Sequence, residues 1–92
     1  MKIFYVVWYD AVSNNDWELI DDARKQRPVM VQTVGFCVSC DSDRITLALS
    51  KEDHDDHDGR VSDFITIPRS HVRDIRVVDP YKSPNRVNDK DL

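Results

Sequence analysis

The chain is poor in the residues and runs that mark specialised classes. Cys37 and Cys40 are the only two cysteines among 92 residues, too few for the disulfide framework of a small secreted domain, and free thiols in a reducing compartment are expected. The longest apolar run, Ile3 to Tyr9, falls far short of the roughly 20 residues that cross a bilayer as a helix. Behind a single Lys2 the chain alternates into aromatic residues with no small-residue cleavage site. No secretory signal is therefore expected, and the cytoplasm is the expected compartment.

Excess positive charge is also missing. Lys and Arg number 13 against 17 Asp and Glu, a formal net charge of -4. The acid excess is local, because from Lys51 to Asp58 one lysine stands against Glu52, Asp53, Asp55, Asp56 and Asp58. The remainder is neutral and lacks the field that carries non-specific nucleic-acid affinity, so nucleic acid is the less favoured partner.

What is present suffices for one core: an apolar fraction of 40% with two Trp, three Tyr and three Phe. Chains this short leave much surface exposed, and self-association would help their stability. A single domain over residues 1–78 is expected, followed by a disordered tail over 79–92 with two prolines and few apolar residues.

Periodicity predicts a mainly β fold. Lys2 to Tyr9 is aromatic and β-branched on both alternations, as in a strand covered on both faces. Asp10 to Asn15 reads as a turn, and Asn15 or Asp16 as the cap of a short helix over Trp17 to Gln26, stopped by Pro28. Trp17, Ile20 and Ala23 share a face that would dock this helix on the sheet. In the long strand Val29 to Cys40 the inward set changes from Val29 and Val31 to Val34, Phe36 and Val38, which predicts a bulge between Gln32 and Gly35. Arg44 to Ser50 alternates cleanly with Ile45, Leu47 and Leu49 inward. Asp58-Gly59 favours a turn into Val61 to Ile67, Pro68 to His71 breaks the ladder, and Val72 to Val78 is the last strand. The expectation is a five-stranded small barrel, Sm-like or SH3-like, with one short helix inserted between the first two strands, closed so that no edge remains exposed.

Four constellations invite functional readings. Cys37-x-x-Cys40 with His54-x-x-His57 approaches zinc-finger spacing. The pairs, however, flank a strand, at about 3.3 Å per residue, whereas zinc needs every ligand within a little over 2 Å. No metal and no cofactor is therefore assigned. On a continuous strand the two thiols would also face opposite ways, which argues against a redox pair. The run Asp53-His-Asp-Asp-His-Asp58 offers a weak divalent-cation site through His54 and His57 as one alternative, but it lacks the remaining positions of a calcium loop and reads first as a solvated acidic tip, with Asp53, Asp55, Asp56 and Asp58 as a partner-binding surface. His57 on such a loop has no fixed nucleophile beside it, so no catalytic residue is assigned and an enzyme is not expected. Arg69, His71, Arg73 and Arg76 form the one dense basic group, a candidate site for an anion or phosphate unless Asp63 and Asp74 pair with the arginines.

Val7-Trp8-Tyr-Asp10-Ala, Asp16-Trp17, Thr33-Val-Gly35-Phe, Ile45-Thr-Leu47-Ala-Leu49 and Ile65-Thr-Ile67-Pro68-Arg69 with Val72 and Ile75 follow one another in a recurrent order. In this the chain resembles small proteins encoded by bacteriophages and prophages, over nearly all of residues 1–78. The shared motifs are structural and imply a barrel rather than an activity. A weaker similarity, to Sm-like proteins, implies a strand edge able to build rings. Together they suggest a non-catalytic phage accessory protein in the cytoplasm of an infected or lysogenic bacterium. It would bind a host protein or a small phosphorylated ligand, for counter-defence or host takeover. The alternative is an Sm-like oligomeric nucleic-acid binder. No membrane partner is expected, and a homo-oligomer is compatible with both.

Overall fold

The computed structural model describes residues 1–13, 15–57, 59–82, 87 and 89–91. Five strands carry the fold: β1 (Ile3–Asp10), β2 (Val29–Cys40), β3 (Arg44–Glu52), β4 (Arg60–Pro68) and β5 (Val72–Val78). They form one antiparallel sheet in the order β4-β3-β2-β1-β5. Successive strands of β-branched and aromatic residues pair as neighbours, and β5 returns along the free side of β1 after a 3-10 turn at Arg69–His71 that starts from Pro68.

The core lies on one face. Val6, Trp8, Ile45, Leu47 and Ile67 are buried together, with Phe4, Val31, Cys37, Val72 and Ile75 packed around them. Residues from β1, β3 and β4 share this cluster, so the sheet curls over its own inner face. It is not closed: among the described residues no ladder joins β4 to β5, and both remain edges. The expected closure is absent because the curl brings side chains together without bringing the two outer backbones into pairing distance.

The helix is a correction. It spans only Ile20–Arg24 (α1), begins at Leu19 without a side-chain cap, and buries none of its residues. Trp17 is fully exposed, at 102%. Asp21 and Asp22 in the first turn suit the helix dipole, but five residues that bury none of their side chains lack the packing that would carry the helix back to Trp17.

The bulge is also elsewhere. β1 pairs with β2 without a break from Ile3 opposite Phe36 to Asp10 opposite Val29, so Val31, Thr33, Gly35 and Cys37 keep one inward parity. Val34 faces out, at 55% exposure. The extra residue is Val38, between the Cys37–Leu47 and Ser39–Thr46 pairs. Gly35 allows the close approach at which β2 passes from β1 to β3, since a Cβ there would stand 2.8 Å from the Ala48 carbonyl oxygen. Leu49, expected inward, is 67% exposed. It falls between the Ala48–Phe64 and Ser50–Ser62 pairs, where Asp63 with its φ of 53° leaves the extended region, and its burial is not completed by any element among the described residues.

Asp79 to Lys82 form a turn in which the Tyr81 amide donates to Asp79 Oδ1 at 2.9 Å, and Asp89–Asp91 form a single 3-10 turn. The expected disorder of residues 83–86, 88 and 92 lies outside the described residues.

Candidate functional site

Three surfaces carry the chemistry. The first is the loop between β3 and β4. Its base is pinned where Arg60 and Glu52 face each other across the strands: Arg60 Nε and Nη2 donate to Glu52 Oε1 at 3.0 and 2.7 Å. Lys51 pairs with Asp53. The Arg60 guanidinium first, then His54, holds the Glu52 carboxyl below the usual range. Gly59, at φ +94°, takes a turn in which any Cβ would run into the Glu52 carbonyl. Above this neck His54 meets Glu52 through Nε2, His57 Nε2 stands 3.7 Å from Asp56 Oδ1, and the Gly59 amide donates to His57 Nδ1 at 2.9 Å. The two imidazoles lie with centroids 4.3 Å apart and planes 32° from parallel. Asp53, Asp55 and Asp56 are exposed on this loop, while Asp58 lies outside the described residues.

The second surface holds the basic group, which the fold divides. Arg73 and Arg76 line one shallow groove on β5 with Tyr5, Val7 and Asp74. There Arg76 Nε donates to Asp74 Oδ2 at 2.9 Å, and Arg73 reaches over the sheet to Met30 Sδ at 3.2 Å. Arg69 instead lies in the 3-10 turn, with Nη1 3.3 Å from Cys40 Sγ, and His71 lines a separate hollow with Tyr9 and Pro28. Register therefore unites two members of the group and sends the other two elsewhere. Of the two carboxylates expected to pair with these arginines across adjacent strands, Asp74 meets Arg76 along β5 itself, and Asp63 lies on β4.

The thiols differ from expectation. The Val38 bulge resets the parity of β2, so Cys37 and Cys40 stand opposite Leu47 and Ile45, both inward residues, and share a face. Burial, then the neighbouring Cys40, raises the Cys37 thiol above its ordinary value. A thiol raised in this way is a poor nucleophile.

The third surface was missed from the sequence. On the outer face Phe64 lies opposite Ala48, Ala48 opposite Phe36, Phe36 opposite Ile3, and Ile3 opposite Val78. Directly opposed residues share a face, so this apolar row crosses all five strands. Phe64 is 65% exposed, whereas Ala48, flanked by Phe36 and Phe64, is 1% exposed. Val34 adds to the row one rung along β2, and Tyr81 borders the shallow hollow at its β5 end. Two rungs along β3 and β4 the same face carries the Glu52–Arg60 pair at the neck of the acidic loop. The available signal was Phe64 itself, an aromatic residue on the parity opposite to Ile65 and Ile67.

Among the described residues no helix is long and apolar enough to cross a membrane. No family model, curated protein or solved structure matches the chain.

Proposed function

We propose that the protein is a non-catalytic binding module that docks on another protein through the outer face of its sheet. The observation that carries this reading is the row Phe64–Ala48–Phe36–Ile3–Val78, with Phe64 at its exposed end beside a free edge strand. Exposed apolar surface of this kind, bordered by polar groups, marks interaction sites, and aromatic residues supply their anchors. The occupant is a protein whose contact patch is apolar at its centre and basic at the margin that meets Asp53, Asp55 and Asp56. The acidic loop then acts as a mimic of an anionic surface, guiding encounter and excluding acidic partners. The sequence resemblance supplies the setting: a phage accessory protein, in small-barrel form, acting on a host protein in the bacterial cytoplasm. A non-catalytic role is supported by the contacts of His54 and His57, which meet carboxylates, a backbone amide and each other.

Photo-crosslinking tests it. A photoreactive residue at position 64 is expected to capture one protein in bacterial cells, whereas the same residue at Thr66, on the polar Thr46–Thr66 rung of that face, captures little. Equal capture at both positions overturns the reading.

A second reading rests on the two free edges, β4 and β5, which can pair between copies into an Sm-like oligomer, with Arg73 and Arg76 meeting RNA. It requires a closed ring by sedimentation and an RNA affinity that falls with salt and with Arg73→Ala. The small phosphorylated ligand is less well supported, because Asp74 already supplies the anion to Arg76.

A further inference from the structure

We propose that the β3–β4 loop holds one divalent transition-metal ion of the zinc class through His54, Asp56 and His57. Each residue offers one ligand atom, and the three atoms lie within 4.8 Å of one another. Around zinc, with bonds of about 2.0–2.1 Å, tetrahedral ligand atoms stand about 3.3 Å apart. The site therefore needs only a modest closing of exposed side chains on a loop whose neck the Arg60–Glu52 and Lys51–Asp53 pairs already fix.

Three further features favour a metal over a bare acidic tip. The imidazoles lie side by side, ring centroids 4.3 Å apart and planes inclined by 32°, so the two rings stand close enough to meet one ion. Glu52 engages His54 Nε2, which leaves Nδ1 for the ion and places a carboxylate behind the ligand, as metal-binding histidines commonly have. Asp55, exposed between His54 and Asp56 in the chain, adds negative charge beside the ligands, while Glu52 and Asp53 are engaged by Arg60 and Lys51. His57 presents Nε2 towards Asp56. A neutral ring cannot accept a hydrogen bond at one nitrogen and bind metal at the other, so binding releases the Gly59 amide from His57 Nδ1 and the affinity is moderate. Two imidazoles and one carboxylate select zinc, nickel or cobalt over magnesium and calcium, with the remaining positions left to water. The cysteines take no part, since Cys37 and Cys40 lie on the core face of β2.

The test is calorimetric titration of the full chain, without an affinity tag, with zinc chloride, alongside NMR of the histidine ring protons. One zinc per chain is expected, with His54 and His57 signals shifting and that of His71 unmoved. His54→Ala and His57→Ala should each weaken binding at least about tenfold, and Glu52→Gln about tenfold through the lost support. Calcium at a hundredfold excess should not compete, and cobalt should show no thiolate charge-transfer band. The proposal is overturned by absence of zinc binding, by binding unchanged in the double His54→Ala/His57→Ala variant, or by equal competition from calcium. Circular dichroism of the variants, expected to match the parent, guards against loss of the fold.

Discussion

At Gly35 a single hydrogen atom stands where any side chain would press on the Ala48 carbonyl, 2.8 Å away, and on Leu47 Cβ at 3.2 Å. Because both contacts are to packed strand β3 rather than to a flexible side chain, Gly35→Ala should destabilise by roughly 1–3 kcal/mol, read as a lowered midpoint in urea. Asp41 fixes the β2–β3 turn by accepting from the amides of Asp43 and Arg44 at 2.8 and 3.0 Å. These two hydrogen bonds, the Asp43 amide first, depress its carboxyl below the usual range. A depressed carboxylate contributes stability that is present above its unfolded value and lost as pH falls through its folded one. Asp41→Asn should therefore melt below the parent at neutral pH, with the difference closing in acid; a difference independent of pH would refute the charge role.

Among the elements, the strands were legible and their parities only in part. Arg44 to Ser50 alternates over a chemically clean period, and its predicted inward Ile45 and Leu47 are buried. Leu49 is not, because burial depends on what lies above a residue and not on its own period. In β2 the apolar pattern pointed to a bulge near Gly35, whereas the hydrogen-bonded register places it at Val38. Apolar Val34 lies on the outer face, so outward and inward positions of this strand are both hydrophobic and the pattern does not separate them. The helix stands where its acidic first turn suggests, but the spacing of Trp17 with Ile20 and Ala23 says nothing of whether a partner surface is within reach, and Trp17 is exposed. Exposed Trp17 and buried Ile45 make a paired prediction: Trp17→Ala should change stability by no more than about 0.5 kcal/mol, while Ile45→Ala should cost about 2–5 kcal/mol. Chemical denaturation of both variants checks it, and a large loss at Trp17 would mean that this side chain packs in solution.

For the molecule as a whole, the consequential feature emerges only from register. No segment of the sequence displays the row from Phe64 to Val78, because its members are drawn from five separate strands and meet through pairing. The basic group shows the converse: of four residues close in sequence, Arg69 and His71 are held in the 3-10 turn, whereas Arg73, the extra residue at the β5 irregularity, lines a groove with Arg76. The acidic loop stayed together since a hairpin connection keeps sequence neighbours as spatial neighbours. The open sheet thus places an apolar face, a free edge at β4 and a negative loop side by side, which is the combination on which protein docking rests.

The most direct test is the affinity of the crosslinked partner, purified, for three forms of the chain with equal melting temperatures: parent, Phe64→Asp and Thr66→Asp. Phe64→Asp is expected to weaken binding at least about 30-fold, a hot-spot loss of about 2 kcal/mol, with Thr66→Asp within about threefold of the parent. Equal affinities for Phe64→Asp and the parent would remove the outer face as the docking surface.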